Sequence, residues 1–232
     1  MKRHITILAV VVVAVGVAAV LLWPSFLRWR GAYTRTGVPS EGFTWAEPIQ
    51  GPGLANFHRV SDRLYRGAQP TAEGMAHLNA LGVRTIVNLR SAHSDRDEIG
   101  ETPLGYEHIT MKPWHPETKE VIRFLQIVTD PARQPIFVHC QRGSDRTGFM
   151  CAIYRMAVEN WPRAEAIREM VTGGFGFEGA WKPLMRYLES ADIEAMRRQA
   201  GVETVRTADA PTSASAPASA PNPPGPGNGP GR

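Results

Sequence analysis

The stretch PIFVHCQRGSDRTGFMCAIYRMAVE, residues 135–159, decides the fold. It opens on a short apolar run ending at His139 and Cys140, the pattern of a strand buried on both faces. From Thr147 onward it reads as a helix, and between the two lie Gln141 to Asp145 and then Arg146. A strand that passes through a tight loop into a helix is the building unit of a sheet with parallel strands and covering helices.

In such sheets ligands sit beyond the carboxyl ends of the strands, where loops lead into helix N-termini. A five-residue loop at that place can curl so that successive backbone N–H groups point inward, and the helix adds its positive end. That makes an anion site. Gly143 supplies the φ freedom for the curl, and the Arg146 guanidinium forms a fork suited to two phosphate oxygens. The same positive field favours a thiolate at Cys140, and a thiolate facing a phosphate ester can attack phosphorus. Thr147 is placed to hydrogen-bond the sulfur and ease its later departure. A cysteine and an arginine six apart carry little alone; with His139, Gly143, Thr147 and Gly148 in position after a buried strand they become specific.

Working outward, NFHRVSDRLYRGAQP (56–70) predicts two short strands around Ser61-Asp62. TAEGMAHLNALG (71–82) predicts a helix capped by Thr71, with Gly82 past its end. VRTIVNLR (83–90) and the weaker YEHITM (106–111) predict strands, and PETKEVIRFLQIVTD (116–130) spaces Val121, Phe124, Leu125 and Val128 as a helix does. Further helices follow over 147–160, 162–172 and after Trp181. The fold class is α/β, a central largely parallel sheet flanked by helices, to which an N-terminal transmembrane helix is added.

That helix rests on ITILAVVVVAVGVAAVLL (5–22), which carries no charge. At 1.5 Å per residue the run and its flanks can cross a hydrocarbon core of about 30 Å. We read residues 1–30 as a membrane anchor with basic flanks, single-pass, with a cleaved signal peptide as the alternative. The short basic start resembles an export signal, so the expected location of the domain is extracytoplasmic. Residues 31–52 read as a linker or arm, part of which docks through Phe43 and Trp45. The domain spans 53–200, and 201–232 is a Pro/Ala/Ser/Gly tail too poor in apolar bulk to fold.

The net charge of +4 does not signal nucleic acid. Residues 1–35 alone contribute +5, through Lys2, Arg3, Arg28, Arg30 and Arg35, so the basic excess belongs beside lipid headgroups. The two cysteines, Cys140 and Cys151, are too few for a disulfide framework or a four-ligand zinc site, and Cys151 reads as helix core, with a resolving thiol for an oxidised Cys140 as the lesser alternative.

HCQRGSDRTG (139–148) fits the His-Cys-x5-Arg-Thr-Gly signature of the cysteine-dependent protein tyrosine and dual-specificity phosphatases. With LYRGAQP and TIVNLRS, the chain over about 57–190 resembles the atypical dual-specificity phosphatases of plants and fungi and their bacterial relatives. The resemblance implies Cys140 as nucleophile, Arg146 as phosphate clamp, and Gln141, Arg142, Gly143, Ser144 and Asp145 as the backbone cradle. It implies no metal; we expect no cofactor, a phosphorylated protein or inositol/lipid substrate, and a monomer.

One part departs from the resemblance. Its members usually take the leaving-group proton from an aspartate well upstream of the cysteine, yet between Asp97 and Cys140 the only aspartate is Asp130, at a helix end. The loop MKPWHPE (111–117) offers His115 and Glu117 instead, with Trp114 and His115 as a cleft wall; Glu107 falls in a strand. Asp145 is the other candidate, since an aspartate directly before the signature arginine also occurs in the myotubularin-like lipid phosphatases. The competing reading makes Asp145 a helix cap or a partner for a neighbouring cation. Relatives that act on inositol pyrophosphates tend to carry several basic residues in this loop, whereas here only Arg142 joins the clamp. We therefore expect phosphotyrosine or another single phosphate ester, with phosphoinositides and inositol phosphates as the alternative. A catalytically silent phosphate-binding module and a rhodanese-like sulfurtransferase are rivals, the latter disfavoured by the His before and the Arg-Thr-Gly after the loop. Arg90 and SAHSDRDE (91–98) read first as a solvated turn, with a border of the site as the alternative.

Overall fold

The computed structural model describes residues 37–202. The proposed anchor at 1–30 and nearly all of the tail lie outside the described residues, among which no helix is long and apolar enough to cross a membrane.

Six strands form one sheet: β1 (Glu47–Pro48), β2 (His58–Arg59), β3 (Leu64–Gly67), β4 (Thr85–Asn88), β5 (Gly105–His108) and β6 (Ile136–His139), in the order β1-β2-β3-β6-β4-β5. The four strands β3, β6, β4 and β5 run parallel, and β1 and β2 add an antiparallel edge. The sheet is mixed, with its parallel part at the centre. β6 lies between β3 and β4 and is buried at every position, which explains its unbroken apolar run.

Helices cover both faces. α1 (Ala72–Ala80) and the one-turn α2 (Arg96–Ile99) pack on one, where Met75, Leu78 and Ile99 meet Ile86 and Phe137. The thicker layer holds α3 (Thr118–Thr129), α4 (Asp145–Ala157), α5 (Arg163–Thr172), α6 (Lys182–Ser190) and α7 (Ile193–Ala200). There Val87, Ile136 and Val138 meet Phe124, Phe149, Ile153 and Leu184. Alternate residues of β6 thus feed opposite cores, Phe137 one and Val138 the other, as a two-residue strand period requires.

The ends of the elements follow from their sequence. The Thr71 hydroxyl accepts from Gly74 N at the start of α1, and Gly82 takes a left-handed φ of 88° beyond its end. Glu117 and Glu120 form a reciprocal capping box on α3.

Residues 37–52, which the sequence sets apart as an arm, are packed on α5. Gly37 N donates to Thr172 O (2.9 Å), Trp45 Nε1 to Glu165 Oε1 (2.7 Å) and Ala46 N to Glu169 Oε1 (2.6 Å). Trp45 is buried, and Glu47–Pro48 join the sheet as its edge strand. The buried Glu169 also receives Arg155 Nε and Nη2, so one carboxylate ties the arm, α4 and α5 together.

Candidate active site

Because β3, β4, β5 and β6 run parallel, the segments after them gather at one edge: Ala68–Gln69, residues 89–95, residues 109–117 and the loop Gln141–Ser144. Cys140 lies at the end of β6, buried, and α4 begins at Asp145. The helix therefore starts two residues earlier than its sequence suggests, and Asp145 and Arg146 sit in its first turn. Asp145 is part of the helix rather than the residue before it.

The loop is held from below by side chains that the sequence does not advertise. Arg66 on β3, only 1% exposed, donates from Nη2 to Gly143 O (2.6 Å) and lies 3.8 Å above the Phe175 ring. Asn56 Nδ2 donates to both Arg142 O (3.0 Å) and Phe175 O (2.9 Å). Gln69 N donates to Gln141 O (3.2 Å), while Arg90 Nη1 donates to the Gln69 side chain. With its carbonyls drawn outward by these donors, the loop can turn N–H groups inward, the geometry of an anion nest. Gly143 has φ 71°, and a Cβ there would fall 2.4 Å from Gly67 C. Glycine is needed for both reasons.

Arg146 Nη1 donates to Leu89 O (3.1 Å) and Met111 O (3.4 Å), which fixes the guanidinium between the segments after β4 and β5. Thr147 is fully buried, and its hydroxyl has no hydrogen-bond partner among the described residues. Cys151, on the second turn of α4, is buried, and burial pushes its thiol up to about 11; it is core, as its sequence position suggests.

The reading of 91–98 as a solvated turn holds for most of the stretch, where Ser91, Ala92, Ser94, Arg96 and Asp97 are exposed, but fails at Asp95. Asp95 has no exposed surface, and its carboxylate accepts from His139 Nε2 (2.7 Å), Gln69 Nε2 (2.9 Å) and Asn88 Nδ2 (3.0 Å). Burial alone would raise this acid, but the hydrogen bonds from His139 and Gln69 and the His139 and His93 charges hold it below the usual carboxylate range. The fully buried His139 thus has a built partner, and through it the residue before the nucleophile position is locked. A buried histidine next to the loop signals that a partner must exist; nothing local shows which of the nearby acids it is. His93, Asp95 and Glu98 bring ligand atoms within 4.8 Å of one another. Both Asp95 oxygens are already committed to nitrogen donors, so the group fits a structural network better than a cation site.

The candidate acids separate clearly. Glu117 N-caps α3 and pairs with Lys119 (2.6 Å), whose hydrogen bond holds its carboxyl below the ordinary range. His115 is exposed in the turn after β5, where its N donates to Lys112 O (2.9 Å). Glu107, on β5, is taken up by ion pairs with Arg123 and Arg133. Asp145 Oδ2 accepts from Ser144 Oγ (3.0 Å), while its Oδ1 is buried without a partner. Burial lifts the Asp145 carboxyl above the ordinary range, against the Ser144 hydrogen bond and the Arg142 charge, which pull it down. Of the four, Asp145 has the environment that favours keeping a proton.

The family model described as "DSP-PTPase phosphatase fused to NAD+ Kinase" matches residues 50–179, which hold the whole of this loop and its supports. The chain belongs to the dual-specificity phosphatase-like family. The phosphatase is 32% identical over 154 residues to the dual specificity protein phosphatase TpbA of Pseudomonas aeruginosa, covering 66% of this chain and 69% of that one. A crystal structure of a cysteine-to-serine variant of TpbA in complex with pTyr matches with a TM-score of 0.62 at 29% identity, over 71% of this chain and all of that one. The inositol diphosphatase DSP5 of Arabidopsis thaliana is 30% identical over 124 residues, 49% of this chain and 59% of that one. The protein is a cysteine-dependent phosphatase.

Proposed function

We propose that this phosphatase hydrolyses single phosphate esters, phosphotyrosine foremost, with Cys140, Arg146 and Asp145 as its catalytic residues. The observation that carries the reading is Cys140 at the end of the central strand, below a braced loop that leads directly into a helix N-terminus. The pTyr complex of TpbA supports phosphotyrosine, and the inositol diphosphatase DSP5 keeps inositol phosphates as the alternative.

The phosphate is held by the loop N–H groups, from Gln141 to Asp145, and by the Arg146 fork. Cys140 Sγ attacks phosphorus as the ester P–O bond breaks, and the bond pair leaves with the oxygen, which takes the Asp145 proton. Water then attacks the cysteinyl phosphate. Its proton passes to the Asp145 carboxylate, the S–P bond breaks, and phosphate and thiolate are restored. Thr147, buried with an unused hydroxyl, is placed to hydrogen-bond the departing sulfur.

The test is release of p-nitrophenol from p-nitrophenyl phosphate by the full chain. Activity that vanishes in Cys140→Ser is expected; equal activity in that variant would overturn the assignment. Residues 5–22 are proposed as a single-pass anchor holding a monomeric domain on the extracytoplasmic side, on the strength of their uncharged length. Release of the protein from membranes by alkaline carbonate would refute the anchor.

A further inference from the structure

Within the phosphate loop the only cation besides the Arg146 clamp is Arg142, and its guanidinium is already engaged. Arg142 Nη1 donates to Glu178 Oε2 (3.0 Å) and Nη2 to Glu178 Oε1, a two-point fork on one carboxylate. Glu178 comes from the segment after α5, which is tied to the loop independently: Asn56 bridges Arg142 O and Phe175 O, and Phe175 lies under Arg66. The pairing is therefore a supported contact rather than two long side chains meeting by chance. In the first turn of α4 beside it is a second acid, Asp145, which feels the charges of both Arg142 and Glu178.

The arrangement has a consequence for substrates. A substrate with one phosphate needs only the N–H cradle and Arg146. One with further phosphates around the ester needs cations at the rim, and here the rim cation is covered by a fixed carboxylate. We propose that Glu178 is a specificity-determining residue: by occupying Arg142 it disfavours polyphosphorylated substrates and leaves single phosphate esters preferred. This deepens the reading of Cys140 to Arg146 as the site of one phosphate and rests on it. Rejection works by an unfavourable charge placed against the wrong ligand, with no contact needed to the right one.

The test compares the full chain with its Glu178→Gln variant, using inositol hexakisphosphate and inorganic phosphate as competing inhibitors of p-nitrophenyl phosphate turnover. Arg142 and Glu178 are 36% and 48% exposed, so solvent screens the effect, and the preference for the hexakisphosphate should rise by about three- to tenfold. The gain should shrink as salt shortens the Debye length from about 10 Å at 0.1 M. Adding Arg142→Gln to the variant should abolish it, because Arg142 is the cation that the extra phosphates use. An unchanged or lowered preference in Glu178→Gln, or a gain that survives loss of Arg142, overturns the proposal. Calorimetric titration with the same two anions reads the preference without turnover. A chain that turns over nothing yet shows the shift would sink the phosphatase reading and leave this one standing.

Discussion

Replacing Gly143 with alanine tests how far catalysis depends on the support of the loop. A Cβ at Gly143 would stand 2.4 Å from Gly67 C, 2.5 Å from Gly67 O and 2.6 Å from Ala68 N. Carbon contacts settle at about 3.5 Å or more, so the two segments must separate by roughly 1 Å. The β3 side cannot give. Gly67 is in register with His139, Ala68 N donates to Ala55 O (2.8 Å), and Gln69 N donates to Gln141 O. The loop must move instead, stretching the Arg66 to Gly143 hydrogen bond and turning its N–H groups off the phosphate. A misplacement of about 1 Å at reacting groups can cost on the order of 100-fold in rate. The left-handed φ of 71° adds a penalty of about 1–2 kcal/mol for a residue with a Cβ. We expect kcat/KM for p-nitrophenyl phosphate to fall about 100-fold. Tm should drop by several degrees, since about 1 kcal/mol moves a domain of this size by roughly 2–4 °C. Activity within about threefold of wild type at an unchanged Tm would mean that the loop tolerates displacement, and the geometric account would be wrong.

Asp145→Asn should remove the basic limb of the pH–rate profile, most severely for esters with poor leaving groups, and two intact limbs would remove Asp145 from the mechanism. Its folded-state pKa is raised by burial, so Asp145 supports folding fully only below the unfolded carboxylate pKa and loses that support as pH rises through the folded value. At neutral pH the same variant should therefore melt no lower than wild type, and a marked drop in Tm would contradict this. Asp95 has the opposite sign: its pKa is depressed, so its contribution is present above the unfolded value of about 3.9 and is lost as pH falls through the lower folded one. Asp95→Asn should flatten the acid-unfolding curve in that window and destabilise the domain at pH 7, as followed by circular dichroism. Glu169→Ala leaves the buried Arg155 with Glu159 as its remaining carboxylate and should cost up to about 3–5 kcal/mol in denaturant unfolding; a cost under about 1 kcal/mol would mean that Glu159 alone compensates the guanidinium.

The strand, loop and helix of the site were legible because each part has a local signature: a buried apolar run, a glycine where φ is positive, an arginine in the first turn. Its supports were not. Arg66 reads as one polar residue in a short strand, and only the fold reveals that the Phe175 ring and the Gly143 carbonyl are waiting for it. Asp95 shares its stretch with seven residues of turn composition, and its buried partner His139 is 44 positions away in the chain. The contrast among the candidate proton donors also needed three dimensions. Glu117 and Asp145 are both acids near a helix start, but one faces solvent beside Lys119 and the other is enclosed.

The docking of the arm changes what the anchor can do. Because Gly37 is fastened to the end of α5, only residues 31–36 separate the domain from the proposed anchor at 1–30. Six residues reach at most about 20 Å even when fully extended. An anchored domain would then sample a shallow layer at the bilayer surface, and any phosphate ester held in that layer would meet it at a raised effective concentration. The Trp45 and Gly37 contacts would in this way set which substrates are within reach, although neither residue touches one.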